Sequence, residues 1–436
     1  MKYYIRTFGC QMNKHDSEFI GSMLEKLGYT DTESVNEADV VVVNTCSIRD
    51  TAEKKIMGFI DSLILTKRLK PELRVIVAGC MVSGSSQVDE LLKKRRHIDI
   101  VLGTRSLDKL PQYLLQLESK PGPYVDFDLD VNITEGRSHK RDDGFRGYLT
   151  IMYGCDNFCS YCVVPHVRGR EKSRELQDIV AEAKAMAEDG VKEITLLGQN
   201  VNSYGKGLKS KMDFADVLYA VSEIDGIERI RYMTSHPKDF SDRIVEAIAQ
   251  LPKVCRHFHL PFQSGSSRIL ERMNRHYTKD YYLELMEKIK KTFPNSVLTT
   301  DIIVGFPGEK EEDFQDTIDL LEKIEFDLAY TFIYSPRKGT PGADMPEQIP
   351  QSVKKQRLLT LMDIQNEISL KRNKEMIGKT YKLLGEGASR TKETVQSGRT
   401  EGNKLVHFQG KEDYCGKFVE AEITEANTWS LKGRLI

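Results

Sequence analysis

Three cysteines lie close together in the stretch YGCDNFCSYCVVPHVRGR, residues 153–170. Cys155, Cys159 and Cys162, here named the loop trio, are separated by four and then three residues, and no fourth cysteine follows them nearby. Thiolates grouped this tightly in an unexported protein are typical metal ligands, and the two realistic occupants are zinc and an iron–sulfur cluster. The stretch therefore predicts a metal centre with three protein thiolates.

Zinc and an iron–sulfur cluster would use this loop differently. Structural zinc takes four ligands, and His166, four residues after Cys162, completes a Cys3His set. A [4Fe–4S] cluster also has four corners, so three thiolates leave one iron open, where it can chelate a small molecule and pass it an electron. Zinc sites commonly use two ligand pairs separated by a longer loop, which favours the cluster.

A second set of cysteines, here named the strand-end trio, is spread along the first block of the chain. The runs YYIRTFGC, ADVVVVNTC and LRVIVAGC end at Cys10, Cys46 and Cys80, with separations of 36 and 34 residues. Each run predicts a buried strand followed by a helix, as in a parallel α/β sheet. Ligands bind beyond the carboxyl ends of such strands, so the three thiols can converge. A lone buried cysteine is often only a small hydrophobe, but three at equivalent positions favour a site.

Composition limits the class of protein. The chain has 436 residues, of which 39% are hydrophobic and 30% charged, with a formal net charge of -1, and this length predicts roughly two to four domains. The apolar runs are too short to span a bilayer, and the N-terminus lacks a signal-peptide pattern. We therefore expect a cytoplasmic protein with no membrane partner, whose eight cysteines serve metal or catalytic roles rather than disulfides. The near-neutral charge excludes a global electrostatic grip on nucleic acid but leaves local basic patches open.

Six strand-like runs separated by helical patterns occupy the middle of the chain. They are GYLTIMYGC, VKEITLLGQN, ERIRYMTSHP, RHFHLPFQSG, SVLTTDIIVGFPGE and DLAYTFIYSP. Six βα units are too few for a closed eight-unit barrel and predict an open, partial (β/α)6 TIM-like barrel. Catalytic groups of such barrels follow the carboxyl ends of the strands, which is where the loop trio lies.

The remaining chain predicts a linker, a long helix and a small β-barrel. The Gly-, Pro- and charge-rich residues 119–146 predict a linker, whose HKR run at 139–141 is expected to be solvated. The helix after Pro350 places Leu358, Leu361, Met362 and Ile368 on one expected apolar face. Glycine-punctuated strands follow, typical of a small OB-like barrel that binds single-stranded RNA or serves as a structural cap.

These predictions divide the chain into four parts. The expected parts are an α/β domain at 1–118, the linker at 119–146, the partial barrel at 147–375 and the small barrel at 376–436.

The motifs together resemble the radical S-adenosylmethionine methylthiotransferase family. CDNFCSYC, residues 155–162, resembles the cluster loop of that superfamily, the strand-end trio resembles the methylthiotransferase N-terminal domain, and the small barrel resembles the TRAM domain, an RNA-binding module. Four further strings resemble the MiaB-type branch of the family. They are GCQMN at 9–13, NTCSIR at 44–49, VVP through RG at 163–169 and GRTE at 398–401.

The resemblance implies two [4Fe–4S] clusters and S-adenosylmethionine as cofactors. The loop trio would hold the cluster that binds S-adenosylmethionine through its amino and carboxyl groups and cleaves it to methionine and a 5′-deoxyadenosyl radical. The strand-end trio would hold an auxiliary cluster carrying the sulfur that is methylated and transferred. The implied reaction is methylthiolation of carbon 2 of the dimethylallyl-modified adenosine next to the anticodon of tRNA. The alternative substrates are threonylcarbamoyl-adenosine of tRNA and a ribosomal-protein aspartate.

Radical chemistry changes what the protein must provide. The adenine hydrogen has no useful acidity, so the reaction calls for no catalytic acid or base, and the protein orients and shields the cofactor. The implied partners are tRNA, an electron donor and proteins that supply sulfur or clusters. An alternative from another class is a zinc-stabilised RNA-binding protein without catalysis.

Several further residues are candidates for ligand contact. Cofactor contact is expected from Tyr161 in the cluster loop and from polar residues at predicted strand ends, chiefly Gln199, Gln263 and Asp301, with Ser235 and His236 as weaker candidates. RNA contact is expected from Arg399 and Lys404 in the small barrel.

Overall fold

The computed structural model describes residues 1–47, 50–82, 85–127, 144–389 and 392–436. Ile48 and Arg49 of the NTCSIR string lie outside these ranges, as do residues 128–143 of the predicted linker with its HKR run. The described residues form three units, which are a parallel α/β domain, a partial barrel and a small closed barrel.

The elements of the first unit alternate between strand and helix. They are β1 (Lys2–Thr7), α1 (Gln11–Lys26), β2 (Thr30–Asp31), β3 (Val40–Thr45), α2 (Asp50–Leu69), β4 (Arg74–Gly79), α3 (Ser85–Lys94), β5 (Ile100–Leu102), α4 (Leu110–Ser119) and β6 (Tyr124–Asp126).

All six strands of this unit form one parallel sheet with helices on both faces. The order is β2-β1-β3-β4-β5-β6. Val40 and Val42 pack with α1 and α4, whereas Val41 and Val43 pack with α2 and α3. A central strand covered on both faces needs apolar residues at every position, which explains the uninterrupted valine run. The three cysteine-bearing runs are confirmed as the neighbouring strands β1, β3 and β4.

The sheet continues into residues that were predicted to be linker. β6 pairs with β5 from Tyr124 to Asp126, and the Asp126 carboxylate binds Ser106, Lys109 and Tyr113. This stretch contains a three-residue edge strand within Gly-, Pro- and charge-rich sequence. Three residues are too few to show the alternation of apolar and polar side chains that predicts a strand. The first domain therefore extends past residue 118, and the remaining boundaries stay predictions.

The second unit carries the longest succession of elements. They are β7 (Arg146–Thr150), β8 (Met152–Tyr153), α5 (Val164–Arg168), β9 (Lys172–Ser173), α6 (Leu176–Glu188), β10 (Glu193–Leu197), α7 (Phe214–Ser222), β11 (Arg229–Tyr232), α8 (Asp242–Gln250), β12 (His257–His259), α9 (Ser267–Arg272), α10 (Lys279–Thr292), β13 (Val297–Val304), α11 (Glu311–Ile324), β14 (Leu328–Ile333), α12 (Pro341–Asp344) and α13 (Gln351–Lys374).

Six parallel strands of this unit form the predicted partial barrel. Three pair in the order β11-β10-β7 and three in the order β12-β13-β14, and Ile230 pairs with Val254 where the two halves meet. Helices α6, α7, α8, α10 and α11 share one continuous buried core with the strands. All six predicted strand runs are confirmed.

The long helix α13 differs from its prediction in the face that it buries. Leu361 and Ile368 are buried as expected, but Met362 is exposed, whereas Lys354 and Arg357 are buried. Arg357 pairs with Glu309 at 2.7 Å, and the Lys354 ammonium donates to the Tyr334 carbonyl at 3.1 Å. The helix covers a loop-rich edge of the partial barrel, where backbone carbonyls need donors, so its inward face is partly polar.

The third unit is a closed five-stranded barrel, as predicted. Its strands are β15 (Thr380–Ser389), β16 (Lys392–Arg399), β17 (Leu405–Gln409), β18 (Phe418–Ala426) and β19 (Leu431–Leu435). The order around the barrel is β15-β16-β17-β19-β18, and β18 pairs again with β15. Leu383, Phe408 and Ile423 are among the side chains that fill its interior.

No helix in the described ranges is both long enough and apolar enough to cross a bilayer. The cytoplasmic location stays a prediction.

The small barrel packs against the amino ends of the partial-barrel strands. The Arg229 guanidinium at the start of β11 donates to the Arg399 carbonyl at 3.2 Å. The Arg231 guanidinium donates to the carbonyls of Thr400 at 2.8 Å and Glu401 at 2.6 Å. The GRTE string at 398–401 is therefore part of a joint between two domains.

The same joint extends along every strand of the partial barrel. Further contacts are Arg146–Glu386, Lys192 Nζ to the Gly416 carbonyl at 2.9 Å, the Arg256 amide to the Glu401 carboxylate at 2.7 Å, Gly402 against Val297, and Lys404–Asp327 at 2.7 Å. Each partial-barrel residue in this set begins a strand or immediately precedes one. The small barrel consequently closes the end opposite to the cysteine loop.

Arg231 provides a test of this joint. Its side chain is buried and also binds Glu193 at 2.9 Å, so Arg231→Met removes a buried ion pair and two hydrogen bonds. We expect the free energy of unfolding to fall by about 2–3 kcal/mol, because Glu193 keeps its other arginine partners. Urea unfolding monitored through Trp429, the single tryptophan, measures the loss.

The matched control is Arg243→Met. Arg243 pairs with Asp213 and Asp216 on the surface, with 47% of its side chain exposed, and such pairs contribute less than about 1 kcal/mol. Equal losses for the two variants would show that the joint contributes nothing beyond a surface ion pair.

Candidate functional site

The loop trio lies in the turn between β8 and α5, at the carboxyl end of the first partial-barrel strand. Burial, together with a smaller contribution from Cys159, raises the pKa of the Cys155 thiol to about 11. Burial likewise raises the pKa of Cys162 to about 12, with additional contributions from Cys159 and Cys155. All three thiols are free. The structure therefore brings the trio together, close enough for each charge to affect its neighbours.

The segment after α9 holds this loop in shape. The Met273 carbonyl accepts from the Ser160 amide at 3.0 Å, and the Asn274 side chain donates to the Phe158 carbonyl at 3.0 Å. Arg275, which is buried, donates to the Cys159 sulfur at 3.4 Å. Sequence reasoning missed Asn274 and Arg275, because they lie more than a hundred residues from the loop and form no recognisable motif with it.

A glycine and a glutamine support the other side of the loop. Gly154 has φ +72°, and a Cβ there would lie 2.2 Å from the Arg170 carbonyl oxygen and 2.5 Å from that of Gly169. Its amide donates to the Gln199 side chain. Gln199, a candidate for cofactor contact, therefore uses its carbonyl oxygen to brace the cysteine loop.

The strand-end trio converges at the carboxyl edge of the first sheet. Cys10 begins α1, Cys46 follows β3, and Cys80 follows β4. Burial raises the pKa of the Cys80 thiol to about 11, with Arg168 opposing the shift and Cys10 and Cys46 adding to it. A Cβ on Gly9, which has φ +118°, would lie 2.8 Å from Cys46 Cβ. Glycine is therefore needed at position 9, where the segment after β1 approaches the residue that follows β3.

Asn13 connects the segments that carry these thiols. Its side-chain amide donates to the Thr45 carbonyl at 2.7 Å and the Phe8 carbonyl at 2.9 Å, and its Oδ1 lies 3.6 Å from the Cys10 sulfur. Asn13 belongs to the GCQMN string and is completely buried. The strand-end trio therefore has a rigid support in Asn13, which the GCQMN string alone did not reveal.

The two trios are joined through α5. Arg168, at the end of this helix, donates Nε–H to the Cys80 sulfur at 3.2 Å. In the other direction, Thr104 and Arg105 of the first domain donate to carbonyls of Val167, Arg168 and Arg170. The carboxyl edge of the first sheet thus packs against the cysteine loop of the partial barrel.

The zinc alternative does not match this geometry. His166 is exposed, and its ring meets Phe158 edge-on at 6.4 Å. In the part of the chain that the structure describes, no group of three or more His, Cys, Asp or Glu side chains is arranged to hold a single metal ion. Thiolates around a cubane lie farther apart than those around one ion, since an inorganic core several atoms wide separates them.

Three of the predicted contact residues lie around the carboxyl end of the partial barrel. Gln263 has φ +67° and is buried, and its Oε1 has no hydrogen-bond partner among the described residues. Asp301 is partly exposed, 3.7 Å from His259. The Tyr161 hydroxyl accepts from Arg275 at 3.3 Å, and its ring packs in a small apolar cluster. Among these three residues, Gln263 therefore offers a buried acceptor atom, Oε1, that is available for a hydrogen bond from a ligand.

More buried polar groups at this end have spare hydrogen-bonding capacity. Within the described ranges, the Asn202 amide, Ser235 Oγ and His236 Nε2 have no hydrogen-bond partner, although all three residues are buried. Burial and the charge of Arg275 lower the pKa of His236, so its imidazole is neutral at pH 7. Its Nδ1 accepts from the Lys238 amide, which leaves Nε2 as a hydrogen donor. Sequence reasoning missed Asn202, one turn after a predicted strand.

The two predicted RNA contacts lie in the joint between the barrels. Lys404 binds Asp327, and only 11% of its side chain is exposed. Arg399 binds Glu386 and the Asn403 carbonyl. Lys404 therefore pairs across the joint, whereas both side-chain partners of Arg399 belong to the small barrel and 34% of that side chain is exposed.

Comparison with protein families matches all three units. The Radical SAM superfamily matches residues 149–321, the uncharacterized protein family UPF0004 matches residues 2–103, and the TRAM domain matches residues 374–436. Among solved structures, the radical S-adenosylmethionine methyltransferase TsrM from Kitasatospora setae, with cobalamin and a [4Fe–4S] cluster bound, is similar with a TM-score of 0.58. The match has 15% identity and covers 78% of this chain and 76% of that one. It shows the fold alone.

Curated relatives match over the full length. The tRNA-2-methylthio-N(6)-dimethylallyladenosine synthase of Alkaliphilus oremlandii is 51% identical over 436 residues, which are 100% of this chain and 93% of the relative. The protein with the same name from Acetivibrio thermocellus is 49% identical, over 100% of this chain and 91% of the relative. The family resemblance expected from the motifs is confirmed. With this identity across all three domains, the chain belongs to the tRNA-2-methylthio-N(6)-dimethylallyladenosine synthase family.

Proposed function

We propose that this chain is a radical S-adenosylmethionine enzyme that methylthiolates carbon 2 of the dimethylallyl-modified adenosine next to the anticodon of tRNA. The observation that carries the proposal is the pair of thiol trios held on either side of α5. Family membership supplies the substrate class, since both relatives described above carry this activity in their names.

The loop trio fits an iron–sulfur cluster in donor chemistry and surroundings. Its three free thiols share one loop, with Cys159 buried and Cys155 and Cys162 partly buried, and Arg275 directs a hydrogen bond at the Cys159 sulfur. When bound, this cluster supplies the electron that cleaves S-adenosylmethionine and so generates the radical that removes the adenine hydrogen. The protein fixes the loop through Gly154 and Asn274, and Cys155, Cys159 and Cys162 would be the residues that hold the cluster.

S-adenosylmethionine fits the polar groups left unsatisfied beside this loop. Gln263, Asn202, Ser235 and His236 offer both acceptors and donors in a buried setting, and an unpaired buried polar group is costly unless a ligand or water satisfies it. We propose that these residues bind the polar parts of S-adenosylmethionine or of the target nucleotide. Asp301 and Tyr161 are nearby candidates at the same end of the barrel.

The strand-end trio is proposed to hold the auxiliary cluster. Its thiols converge on one edge of the sheet, supported by Asn13 and faced by the Arg168 guanidinium. When bound, this cluster supplies the sulfur that reaches carbon 2 of the base. Turnover then requires an electron donor and proteins that replace sulfur or rebuild the cluster, and these are the proposed further partners.

Single cysteine substitutions test whether the loop trio serves S-adenosylmethionine cleavage and the strand-end trio serves sulfur transfer. We expect wild-type protein purified anaerobically to contain about eight irons, and Cys155→Ala or Cys80→Ala to contain about four. Cys155→Ala should lose S-adenosylmethionine cleavage, because the electron source is gone. Cys80→Ala should retain cleavage but form no methylthio product on tRNA carrying dimethylallyl-adenosine, measured by mass spectrometry of digested nucleosides.

The control for these variants is Cys255→Ala, which removes a buried thiol outside both trios. It should keep about eight irons and full product formation. Full transfer by Cys80→Ala would contradict the auxiliary cluster. Product on tRNA carrying threonylcarbamoyl-adenosine, with none on the dimethylallyl substrate, would redirect the proposal to the alternative nucleotide.

Gly154 tests the shape of the loop without touching a ligand. In Gly154→Ala the new methyl group meets two backbone carbonyls that cannot move independently of the loop. We expect about half of the iron to be lost, together with S-adenosylmethionine cleavage, because only one trio keeps its geometry. Iron content and methionine release measure the two effects.

Gly190→Ala is the matched control. Gly190 also has a positive φ, +90°, but nothing lies within 4 Å of a Cβ there, so the change costs about 1 kcal/mol in backbone strain alone. If both alanine variants keep full iron, close approach at Gly154 is not needed for the cluster.

The small barrel is proposed to contact tRNA through a surface that its joint leaves open. An open groove of about 1150 Å³ lies on the barrel, lined among others by Gln396, Gln409, Lys411 and Tyr414. The lining also includes Glu412, which pairs with Lys417, and Asp413. Its amide and aromatic side chains suit stacking and hydrogen bonding with RNA bases, and Lys411 suits phosphate contact. This surface replaces Arg399 and Lys404 as the proposed RNA contact.

Charge reversal at Lys411 tests this groove. Lys411→Glu should weaken binding of the modified tRNA by about 3–10-fold and reduce the salt dependence of log K by about 1, because one phosphate contact is lost. Lys432→Glu, in the same barrel but outside the groove lining, should leave the affinity unchanged. Filter binding at several salt concentrations compares the two, and equal losses would point to overall charge rather than the groove.

A further inference from the structure

Arg168 is a buried cation between the two thiol trios that the proposed chemistry does not yet use. It lies six residues after Cys162, and only 6% of its side chain is exposed. A buried guanidinium is costly unless it is paired and fully hydrogen-bonded. Its partners therefore indicate why it is placed there.

All three side-chain partners of Arg168 belong to the first domain. Nε–H points to the Cys80 sulfur at 3.2 Å, and Nη2 lies 3.1 Å from both Asn13 Oδ1 and Asp16 Oδ2. Asn13 in turn binds the backbone beside Cys46 and lies next to Cys10. One guanidinium thus contacts one thiol directly and reaches the other two positions through a single buried amide.

The backbone of Arg168 is fixed relative to the loop trio. Its carbonyl accepts from Arg105, and the neighbouring Gly169 carbonyl accepts from the Cys155 amide at 3.3 Å. The residue therefore links the first ligand of one trio to the last ligand of the other by a short, buried path. The forked geometry of guanidinium allows this set of contacts, whereas a lysine ammonium cannot meet all of them at once.

Charge gives Arg168 a second role. With a metal centre bound, the three cysteines would be thiolates and would add negative charge beside the buried Asp16 carboxylate, and Arg168 contacts both Cys80 and Asp16. Hydrogen bonds to ligand sulfur and nearby positive charge favour the reduced state of an iron–sulfur cluster, because that state carries more negative charge.

We propose that Arg168 is a positioning residue that orients the strand-end trio toward the cysteine loop and provides the compensating charge for the auxiliary cluster. This inference rests on the proposed function, because it requires that the strand-end trio hold a cluster. It adds a residue that acts through its contacts with Cys80 and Asn13.

The first test isolates the auxiliary cluster. In protein with Cys155, Cys159 and Cys162 all changed to alanine, only the strand-end trio can bind iron, and we expect about four irons per chain. Adding Arg168→Gln should shift the midpoint potential of the remaining cluster to a more negative value, measured by electron paramagnetic resonance at a series of poised potentials. Arg168→Lys, which keeps the charge but loses the fork, should give a smaller shift.

A double variant separates this role from simple loss of packing. Arg168→Gln removes the guanidinium that pairs with the buried Asp16 carboxylate, which by itself can destabilise the joint. Arg168→Gln with Asp16→Asn removes both charges, so iron content should match that of the parent. The potential should lie between those of the parent and of Arg168→Gln, because the lost negative charge offsets part of the shift while the hydrogen bond to Cys80 is still missing. A potential in the double variant equal to that of Arg168→Gln would overturn the proposed role of charge.

The second test uses the otherwise wild-type enzyme. Arg168→Gln should keep S-adenosylmethionine cleavage within about twofold of wild type and lower methylthio transfer about 10-fold or more, as is typical when a group that orients a metal ligand is removed. Arg95→Gln is the control. Arg95 forms two hydrogen bonds with Asp61 within the first domain, away from the thiols. The midpoint potential of the auxiliary cluster, S-adenosylmethionine cleavage and methylthio transfer of this control should all match those of the parent protein.

The outcomes separate this inference from the proposed function. If the protein with three alanines binds iron and Arg168→Gln leaves its potential unchanged, the role of Arg168 is wrong and the proposed function stands. If the protein with three alanines binds no iron at all, the auxiliary cluster is wrong and the inference fails with it. A more negative potential that Arg95→Gln does not reproduce supports the inference.

Discussion

Parallel strands deliver their carboxyl ends to a single edge, and this constraint acts twice in the chain. In the first domain it gathers Cys10, Cys46 and Cys80, which are separated by more than thirty residues at each step. In the partial barrel it places the cysteine loop and the unsatisfied polar side chains at the same end. The two edges then face each other across α5. The strand-end trio could not meet if β1, β3 or β4 ran in the opposite direction.

Both ends of the partial barrel are sealed by buried arginines rather than by apolar packing. Arg168 faces the first domain, whereas Arg229 and Arg231 face the small barrel. Removing guanidinium from water is costly, and in each joint several hydrogen bonds to carbonyl oxygen, carboxylate or sulfur offset that cost. Such contacts require defined directions as well as distances. They therefore fix the orientation of three domains that share no continuous hydrophobic core in the described chain.

Much of this architecture could be predicted from the sequence because its signals are local. Uninterrupted valines indicated a central strand, six apolar runs indicated six barrel strands, and the spacing of the thiols indicated a metal centre. Strand β6 could not be recognised, since three residues carry no usable periodicity. The prediction of the inward face of α13 was wrong, because Lys354 and Arg357 satisfy buried carbonyl and carboxylate groups. Hydrophobic patterning cannot predict such a role.

The contacts that support the site depended on folding and were harder to foresee. Asn274, Arg275 and Arg168 each act on a thiol or its loop from a distant point in the chain. Lys404 and Arg399 have the residue types of RNA contacts, yet they are occupied by acidic partners. A basic side chain reveals its charge in sequence, but only the fold reveals whether that charge is already neutralised.

The attachment of the small barrel to the strand amino ends sets a minimum span for the substrate. β13 alone has eight residues, which corresponds to about 26 Å of extended chain. Under the proposed function, a ligand that contacts both the small barrel and the cysteine loop extends along the outside of the partial barrel. An isolated nucleoside is too short for this, whereas a folded RNA is long enough. The position of the small barrel thus makes the length of the substrate matter in addition to the chemistry of its base.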